Sequence, residues 1–434
     1  MERQYKDSGI EWIGIIPKTW AIERMKGLFI ERNERNCKGR TLLSVSQYFG
    51  IRPKSETDIA DSHIAESYDD YKEVYQGDFV MNIMLAWNGS YAVSEYDGMV
   101  SPAYCVFKFR KDCCKKYFHY LLRTNGYPTA FKTMSRGVID SRLRLYPEQF
   151  YTFPVIIPSV DEQQRISDYL DAKCGEIDSL IGLQEQMIEK LKAYKQSVIT
   201  EAVTKGLNPS AKLVPSGVDW IDEIPEGWEV KPFKELFRTG KGLSFTKADL
   251  VKEGVPVISY GQVHSKQNTG TRIDDVLIRF VPDEIAKSGE SSKVRVGDFI
   301  FADTSEDLSG CGNCVYVDKE IGLYAGYHSV IAFSKRKDSN IYLAYLFLTD
   351  CWRSQIRCRV SGIKVFSISQ AIVKQTLIIL PPPKEQLSIA SYLDEKCADI
   401  NHLIDLKQQK IEKLKDYKKS VIYEAVTGKI SIES

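Results

Sequence analysis

Apolar residues recur at a mixed spacing of three and four along residues 158–207, and the same stretch returns at residues 381–430. The two copies align without a gap, and 28 of their 50 positions are identical. This period keeps the apolar side chains on one face of a helix. The pattern therefore predicts two long amphipathic helices, each about 65 Å long if it is unbroken at about 1.5 Å per residue. In the first copy the apolar positions are Ile166, Leu170, Ile177, Leu180, Ile181, Ile188, Leu191, Tyr194, Val198 and Ala202.

The ends of these helices carry start signals. Ser159 precedes Glu162 by three residues, which is a capping-box pattern, and the second copy opens with prolines at 381 to 383, which a helix tolerates only at its start. The periodicity weakens at Cys174-Gly175. We therefore expect a break there, between a short leading helix and a long one.

Two near-identical apolar stripes on helices of equal length can bury each other as a pseudo-symmetric pair. The alternative is that each helix packs on its own domain as ordinary core. The first arrangement is favoured, and it predicts an antiparallel coiled coil within one chain. The expected helix-pairing seam consists of Ile177, Leu180, Ile188, Leu191, Tyr194, Val198, Ile400, Leu403, Ile411, Leu414, Tyr417 and Val421.

A second repeat lies outside the helices. Residues 8–20 contain the pattern Ser-Gly-x-x-Trp-x-x-x-Ile-Pro-x-x-Trp, and residues 216–228 repeat it. Between these opening motifs and the helices the similarity of the two halves falls. The two halves therefore share their opening motifs and their helices, while the sequences in between differ. Short β-branched or aromatic runs alternate with turn residues, which is typical of mixed α and β structure. The expected strands include Tyr104–Phe109 and Leu377–Leu380, and the expected short helices are Tyr117–Arg123 and Ile341–Thr349.

These patterns predict an α+β chain with pseudo-two-fold symmetry, in which two mixed α/β domains alternate with the two paired helices. The predicted boundaries are 1–157 and 208–380 for the globular domains, and 158–207 and 381–434 for the helices. A chain of 434 residues exceeds a single hydrophobic core, which agrees with more than one domain.

Composition narrows the class of protein only slightly. The chain has 59 basic and 58 acidic residues, so a nucleic-acid partner would require segregated charge. No apolar run approaches the roughly 18 residues of a membrane span, and the first residues lack a signal core, so we expect a soluble cytoplasmic protein. Ten cysteines are scattered, and the lone Cys311-x-x-Cys314 is a weak zinc signal. We therefore predict no metal site.

Catalytic signatures are missing from the sequence. Gly240-Lys241-Gly242 lacks the further glycine and the Ser or Thr that a phosphate-binding loop needs. Clusters such as Asp283-Glu284 with Lys287 have the residue types of a nuclease but are more typical of a solvated face. The sequence predicts no catalytic residue and no enzymatic activity.

The order of globule, helix, globule and helix resembles the specificity (S) subunit of type I restriction-modification systems, the HsdS family. The motifs that carry this resemblance are Pro-x-x-x-Glu-Gln at Pro158 and Pro381, Tyr-Leu-Asp-x-Lys-Cys at Tyr169 and Tyr392, and the openings at Ser8 and Ser216.

The resemblance implies a division of labour with partner subunits. Each globule would be a target recognition domain that reads one half of an asymmetric bipartite sequence in double-stranded DNA. The helices would set the spacer and dock two methyltransferase (M) subunits, and restriction (R) motor-nuclease subunits would join for cleavage. S-adenosylmethionine, ATP and Mg would be bound by those partners, with no cofactor in this chain.

Candidate DNA contacts follow from base chemistry, in which Arg or Lys pairs with guanine and Asn or Gln with adenine, while Ser, Thr and Tyr adapt. Each candidate is by itself more often a surface residue, and Trp87 more often core. The candidates are Ser46, Gln47, Tyr48, Trp87, Asn88, Arg136, Arg142 and Arg144 in the first globule, and Lys241, Tyr260, Gln262, Lys266, Arg353, Arg357, Arg359 and Lys364 in the second.

Two other functions stay open on sequence grounds. One is a self-contained nuclease or methyltransferase fused to a recognition domain, against which the missing motifs count. The other is a coiled-coil assembly protein with no DNA role, which predicts no sequence-dependent binding to a duplex.

Overall fold

The structure, a computed structural model, contains two compact units. One comprises Met1–Glu185 with Gln408–Ser434, and the other comprises Gln186–Lys407. Unit 1 and unit 2 therefore each combine one predicted globule with one part of each long helix. The residues that the structure describes are 3–35, 39–47, 50–54, 68–139, 142–336 and 339–432.

Unit 1 is built from short strands and helices around an antiparallel sheet. Its strands are Tyr5–Asp7, Ile15–Pro17, Ala21–Arg24, Phe29–Arg32, Leu43–Ser46, Gly50–Pro53, Lys72–Val74, Phe79–Asn82, Tyr91–Val93, Gly98–Val100, Tyr104–Phe109 and Pro154–Ile157. Its shorter helices are Met25–Leu28, Ala86–Asn88, Lys115–Leu122, Gly126–Met134 and Pro147–Phe150.

The central sheet of unit 1 has four antiparallel strands in the order Phe29–Arg32, Tyr104–Phe109, Phe79–Asn82 and Tyr91–Val93. One of its faces carries aromatic side chains, because alternate residues of a strand point to the same side. Phe150 closes this face from outside the sheet and is fully buried. The aromatic cluster is the centre of the unit 1 core.

Unit 2 repeats this plan with additional elements. Its strands are Leu213–Val218, Ile221–Pro225, Glu229–Pro232, Phe237–Lys241, Val255–Ile258, Arg279–Val281, Phe299–Ala302, Thr304–Ser305, Cys314–Tyr316, Tyr324–Ala325, Ser329–Ser334, Phe366–Ser367 and Leu377–Leu380. Its shorter helices are Phe233–Leu236, Lys247–Asp249, Tyr260–Val263, Asp275–Leu277, Asp283–Ser288, Glu290–Ser292, Ile341–Phe347, Asp350–Arg357 and Gln370–Lys374.

The central sheet of unit 2 has the same order of strands as that of unit 1. Phe237–Lys241, Ser329–Ser334, Phe299–Ala302 and Cys314–Tyr316 follow one another, and all pairs are antiparallel. The sequence duplication is therefore a duplication of structure, even where the residues differ. This agrees with the predicted mixed α/β class of both globules.

The two long helices are continuous, over Val160–Lys205 and over Pro383–Val426. The predicted break at Cys174-Gly175 was wrong. A glycine costs a helix only about 1 kcal/mol relative to alanine. Cys174 and Ile177 on either side of Gly175 are buried, and their packing holds the helix through this position.

The repeated Glu-Gln at the start of each long helix fastens the helix to its globule. The Trp20 indole N–H donates to Glu162 at 2.8 Å in unit 1, and the Trp228 indole donates to Glu385 at 3.1 Å in unit 2. The predicted capping box is only half formed. The backbone N–H of Glu162 donates to the Ser159 hydroxyl, as the box requires, but the Glu162 carboxylate accepts from Trp20 instead. The two repeated motifs of the sequence are thus partners in one contact.

Buried tyrosines join each globule to the far end of the other long helix. In unit 1 the Tyr117 hydroxyl donates to the carbonyl of Val426 at 2.9 Å. In unit 2 the Tyr342 hydroxyl donates to the carbonyl of Val203 at 2.8 Å. The C-terminal end of the first long helix therefore lies in the core of unit 2, and the C-terminal end of the second lies in the core of unit 1.

The helices pair antiparallel within unit 1. Ile166 and Leu170 share a core with Val421 and Ala425, while the Lys418 ammonium lies 2.7 Å from Asp178. Residue numbers thus rise along one helix as they fall along its neighbour.

Unit 2 shows the same antiparallel arrangement. Ile199 and Val203 share a core with Ile389 and Leu393, and the Lys195 ammonium donates to Asn401 at 2.9 Å. This contact is equivalent to that of unit 1, because Lys195 and Asp178 of the first copy correspond to Lys418 and Asn401 of the second at the offset of 223 residues. The predicted antiparallel pairing is confirmed within each unit.

The buried stripe of the long helices has a regular 3-4 spacing, the heptad pattern of a coiled coil. Ile177, Ile188, Ile400, Ile411 and Val421 are buried as predicted, and Leu191, Val198 and Leu414 are half-buried.

Four predicted seam residues lie outside this stripe. The exposed fractions are 44% for Leu180, 59% for Tyr194, 45% for Leu403 and 50% for Tyr417. Each precedes a seam position by one residue, which turns it about 100° away on a helix with 3.6 residues per turn. The prediction for these four residues was therefore wrong.

Candidate nucleic-acid interface

In unit 1 the candidate residues occupy three chain segments next to the central sheet, which we call the three-loop face of unit 1. They are residues 46–47 after the strand Leu43–Ser46, residues 83–90 after the strand Phe79–Asn82, and residues 136–139 with 142–145. The third segment is anchored on the second, because the Leu145 N–H donates to the Ile83 carbonyl at 2.9 Å. Tyr48 lies outside the described residues.

Arg123 ties two of these segments together. Its guanidinium donates to the carbonyl of Gln47 at 2.6 Å in the first segment and to the carbonyl of Gly89 at 3.5 Å in the second. It also donates to the carbonyl of Tyr91 at 2.8 Å, directly after the second segment. Burial lowers the pKa of this guanidinium from its ordinary value. Sequence reasoning missed Arg123, whose only signal was its place at the end of the predicted helix Tyr117–Arg123.

Trp87 and Asn88 shape the second segment. Trp87 is half-buried, its indole N–H donates to the Met84 carbonyl at 3.1 Å, and the Lys132 ammonium lies 5.1 Å from its ring centre. The Asn88 side-chain oxygen accepts from the N–H of Ser90 at 3.1 Å and from its hydroxyl at 2.7 Å. Asn88 therefore serves the loop itself, whereas Trp87 carries a cation against one ring face.

The third segment holds the three predicted arginines of unit 1. Arg136 and Arg144 exchange two backbone hydrogen bonds of 2.9 Å, which makes this segment a hairpin. Arg136 and Arg142 are exposed, and Arg144 is half-buried with its guanidinium on the Leu143 carbonyl at 2.8 Å. The hairpin therefore brings a concentrated positive charge to the three-loop face.

His119 lies on the helix Lys115–Leu122, four residues before Arg123. The Val93 N–H points at its Nδ1 at 3.4 Å, which fits a neutral ring. Burial lowers the pKa of His119, the charges of Arg123 and Lys116 act in the same direction and Asp171 opposes them, and the resulting pKa is about 4. At neutral pH the imidazole is uncharged.

We expect His119 to make unit 1 acid-sensitive. The unfolded chain binds this proton below its ordinary pKa of about 6.5, while the folded chain binds it only near pH 4. Stability is therefore complete above about pH 6.5 and declines as the pH falls toward 4, by about 1–2 kcal/mol at pH 5. Urea unfolding at pH 7 and pH 5 checks this, since His119→Gln must lose less stability than the natural protein. An equal loss in both would contradict the prediction.

Unit 2 presents three equivalent segments, the three-loop face of unit 2, made of residues 259–264, 303–310 and 359–367. Again the third is anchored on the second, because the Ile368 N–H donates to the Asp303 carbonyl at 2.7 Å and Thr304–Ser305 pairs with Phe366–Ser367. Between these segments lies a cleft of about 900 Å³. Tyr260, Arg353 and Arg357 line it, so the structure brings three of the predicted residues together.

Two histidines also line the cleft. The Asn313 amide donates to Nδ1 of His264 at 3.1 Å, so the proton is on Nε2, which donates to the Thr304 carbonyl at 2.8 Å. His328 has a left-handed backbone with φ of 54°. Such strain in a non-glycine residue concentrates at functional sites. Its ring centre lies 5.4 Å from that of Tyr260.

Neither histidine was named as a candidate on sequence grounds. In the part of the chain that the structure describes, no three His, Cys, Asp or Glu residues lie together as a metal site would require. The pair is instead a source of hydrogen-bonding groups next to an aromatic ring.

Several predicted residues of unit 2 serve the fold. Arg357 donates to Asp350 at 2.8 Å and to the carbonyl of Ser309 at 2.9 Å. Arg353 is largely buried and donates to the carbonyl of Phe347 at 2.7 Å; burial lowers its pKa.

Gln262 accepts the Ser259 N–H at 3.1 Å and so caps its own helix. Arg359 and Lys364 are exposed on the third segment. Lys241 and Lys266 are exposed too, but they do not line the cleft.

Comparison with known proteins assigns this architecture. The model of the type I restriction modification DNA specificity domain matches residues 225–416. The MjaVIII specificity subunit of Methanocaldococcus jannaschii is 23% identical over 433 residues, which is 96% of this chain and 95% of that protein. Over almost its whole length the chain is similar to the specificity subunits of type I restriction-modification systems, the HsdS family. The EcoKI specificity subunit of Escherichia coli is 23% identical over 76% of this chain and 69% of its own length.

Two solved structures share the fold of this chain. A chain from a structure on complex assembly and conformational transition of the type I R-M system aligns with a TM-score of 0.69 at 16% identity, covering 96% of this chain and 99% of its own. The HsdS subunit of Thermoanaerobacter tengcongensis aligns with a TM-score of 0.53 at 14% identity, covering 96% and 98%. No helix among the described residues has the length and apolarity needed to cross a membrane.

Proposed function

We propose that this chain is the DNA sequence-recognition subunit of a type I restriction-modification complex. Each unit reads one half of an asymmetric bipartite target through its three-loop face. The chain itself is not catalytic, and the complex acts in the cytoplasm.

The observation that carries this proposal is the construction of one face twice on the same framework with different side chains. In each unit the third segment is anchored to the second by an equivalent backbone hydrogen bond, 2.9 Å at Leu145 and 2.7 Å at Ile368. The framework holds the loops in place, and the loops supply groups for base edges. Because the side chains of the two faces differ, we expect the two units to recognise different half-targets.

Charge on the two faces supports contact with a polyanion. Unit 1 collects Arg136, Arg142 and Arg144 in one hairpin, although the chain as a whole carries a net charge of only +1. Segregation of this kind is what a nucleic-acid interface needs when the overall composition is balanced. Unit 2 adds Arg359 and Lys364 at the equivalent place.

Partner subunits are proposed to dock on the long helices, whose spacing role follows from their rigidity. Large apolar side chains on these helices are exposed to solvent, and a docked partner would bury them. They are Leu180, Leu183 and Tyr417 in unit 1 and Met187, Tyr194, Leu403 and Leu406 in unit 2. Two M subunits would use these surfaces, and R subunits would join the assembly. S-adenosylmethionine, ATP and Mg are proposed to bind to those partners.

The proposal is tested with the chain assembled with its methyltransferase subunits. Methylation of a random duplex library, followed by sequencing of protected sites, should yield two different defined half-targets separated by an unspecified spacer. Methylation without sequence preference would overturn the proposal. Methyl transfer or cleavage by the chain alone would favour a self-contained enzyme.

Removal of Arg359 and Lys364 should lower the salt dependence of binding. Both are exposed and neither lines the cleft, whereas Arg357 lines it and holds Asp350 and Ser309. Arg359 also donates to the Gln355 carbonyl at 2.5 Å, which lies outside the cleft lining. The slope of log affinity against log salt should fall by about 1 for each phosphate that the variant no longer neutralises.

The matched control is Lys252→Ala. Lys252 is exposed and precedes the strand Val255–Ile258, whose other end leads into the three-loop face. The control should keep the natural slope, measured by fluorescence anisotropy between 50 and 200 mM salt, roughly the range over which phosphate contacts change affinity strongly. An unaltered slope in the double variant would remove both residues from the interface.

A further inference from the structure

Each three-loop face ends in an apolar tip that lies almost wholly in solvent. Val138 at the tip of the unit 1 hairpin is 98% exposed, and Ile363 at the tip of the unit 2 hairpin is 98% exposed. The residues beside them, Ile139 and Val365, are 54% and 52% exposed. Both hairpins therefore present β-branched side chains to water.

The tips are built by the same backbone device in both units. Gly137 and Gly362 precede the tip residues with φ of 151° and 154°. A Cβ at Gly137 would come within 2.5 Å of the Arg142 carbonyl oxygen, and one at Gly362 within 2.0 Å of the Val365 carbonyl oxygen. Only glycine fits these places, so the projection of each tip residue is a designed property of the hairpin.

The exposed apolar tip occurs in both copies of the duplicated unit, although the two copies have diverged. The loop sequences of the two faces have otherwise little in common, yet an exposed apolar residue stands at the same place in both. A single exposed apolar side chain is ordinary in a soluble protein. The same exposure at the same point of two anchored hairpins indicates a surface that becomes buried in a complex.

The surroundings of the tips select the kind of partner. Exposed cations flank them, Arg136 and Arg142 in unit 1 and Arg359 and Lys364 in unit 2. A narrow apolar projection between positive charges fits a groove with anionic rims and apolar atoms at its floor. Double-stranded DNA has this combination, with phosphates at the rims and thymine methyl groups and base faces within.

We propose that Val138 and Ile363 are apolar base contacts, one for each half of the target. On binding, each tip leaves water and packs against apolar atoms of the bases while the flanking cations contact phosphates. The inference rests on the proposed DNA-recognition function and adds the residues that act without hydrogen bonds. Apolar side chains are known to act on DNA in both ways, against a thymine methyl group or as a wedge at a base step.

The test uses Val138→Thr and Ile363→Thr in the complex assembled with its methyltransferase subunits, with target and scrambled duplexes. Both sites are exposed, so folding is unaffected. Each variant should bind the target about tenfold more weakly, which corresponds to about 1.4 kcal/mol. Its salt slope should stay unchanged, because no charge is removed.

Controls are exposed valines away from the faces, Val160→Thr in unit 1 and Val296→Thr in unit 2. Val160 begins the first long helix, and Val296 precedes the strand Phe299–Ala302, at the end opposite to residues 303–310. Their exposed fractions are 46% and 47%. Both controls should bind the target as the natural chain does.

Two duplex modifications distinguish the sources of the apolar contact, and either supports the proposal. Replacing one thymine with uracil would weaken the natural chain and leave the threonine variant unaffected if the tip contacts a methyl group. A 2-aminopurine beside the contact would brighten with the natural chain alone if the tip unstacks a base.

Natural affinity in both threonine variants would overturn the proposal. So would a variant that fails to assemble with methyltransferase subunits, since the tip would then contact a protein. Equal binding of target and scrambled duplexes by the natural complex would instead overturn the recognition function on which the inference rests.

Discussion

Arg123→Ala is expected to impair recognition of one half of the target by about ten- to a hundredfold while the other half is read normally. Arg123 holds the carbonyl of Gln47 in the first segment of the unit 1 face and the carbonyl of Tyr91 directly after the second segment. Removing the guanidinium leaves buried acceptors unpaired, at a cost of about 1–3 kcal/mol, and lets the loops separate. Competition binding with duplexes altered in either half measures the effect.

A second arginine of unit 1 provides the matched control. Arg110 donates to the carbonyl of Phe29 at 2.9 Å, at the end of the strand Tyr104–Phe109 that lies away from the three-loop face. Arg110→Ala removes a similar hydrogen bond and should leave both half-targets recognised. Arg123→Lys keeps the charge without the forked donors and should recover little. Equal impairment of both halves by Arg123→Ala would contradict the assignment.

Phe150→Ala should lower the free energy of unfolding of unit 1 by about 3–5 kcal/mol, the range for a buried phenylalanine. Phe150 is fully buried and stacks on Phe79 with ring centres 5.7 Å apart and an interplanar angle of 11°. Phe107 and Phe131 also contact it, at 4.9 and 5.9 Å. The rings of Phe79 and Phe107 are held by strands of the sheet and that of Phe131 by the helix Gly126–Met134, so the neighbours named here are fixed around the volume that Phe150 fills.

Urea denaturation checks this value, with Phe109→Ala as the control. Phe109 is half-buried at the edge of the same cluster, 4.7 Å from Phe29, so its removal leaves a space open to water. A clearly smaller loss is expected for the control. Similar losses in the two variants would show that the cluster does not depend on its centre.

The framework could be predicted from the sequence because it is written in regular patterns. A continuous 3-4 apolar period and a duplication gave the two long helices and their antiparallel pairing. The strands Tyr104–Phe109 and Leu377–Leu380 were predicted with the bounds that the structure has. Strong local signals and the tertiary contacts agree at these places.

The prediction of the helix-pairing seam was wrong where two neighbouring residues could each have been assigned to one seam position. Leu180-Ile181 and Tyr194-Lys195 each offer an apolar residue one step from the heptad position. At Leu180-Ile181 both residues are apolar, so hydrophobicity could not decide between them, and at Tyr194-Lys195 it favoured the wrong residue. Lys195 takes the seam position because its methylene stem packs while its ammonium reaches Asn401. A pattern of polar and apolar letters does not represent such a side chain.

The recognition residues could be predicted by type but not by role. Gln262 and Arg353 have the chemistry of base readers, yet they hold the Ser259 N–H and the Phe347 carbonyl of their own chain. Which polar group meets a base depends on backbone groups that only the fold brings near. For the same reason the sequence did not indicate the roles of Arg123 and His328.

The presence of the last helical turn in the unit 1 core has a consequence for how the protein is made. Val421, Ala425 and Val426 pack with Ile166 in that core, and Tyr117 bonds to Val426. On the ribosome, the earliest part of the chain must therefore wait for nearly the latest. At about 5–20 residues per second, residue 426 follows residue 170 by roughly 15 to 50 s. During that interval the nascent aromatic cluster lacks its closing helix and depends on the cell to keep it from aggregating.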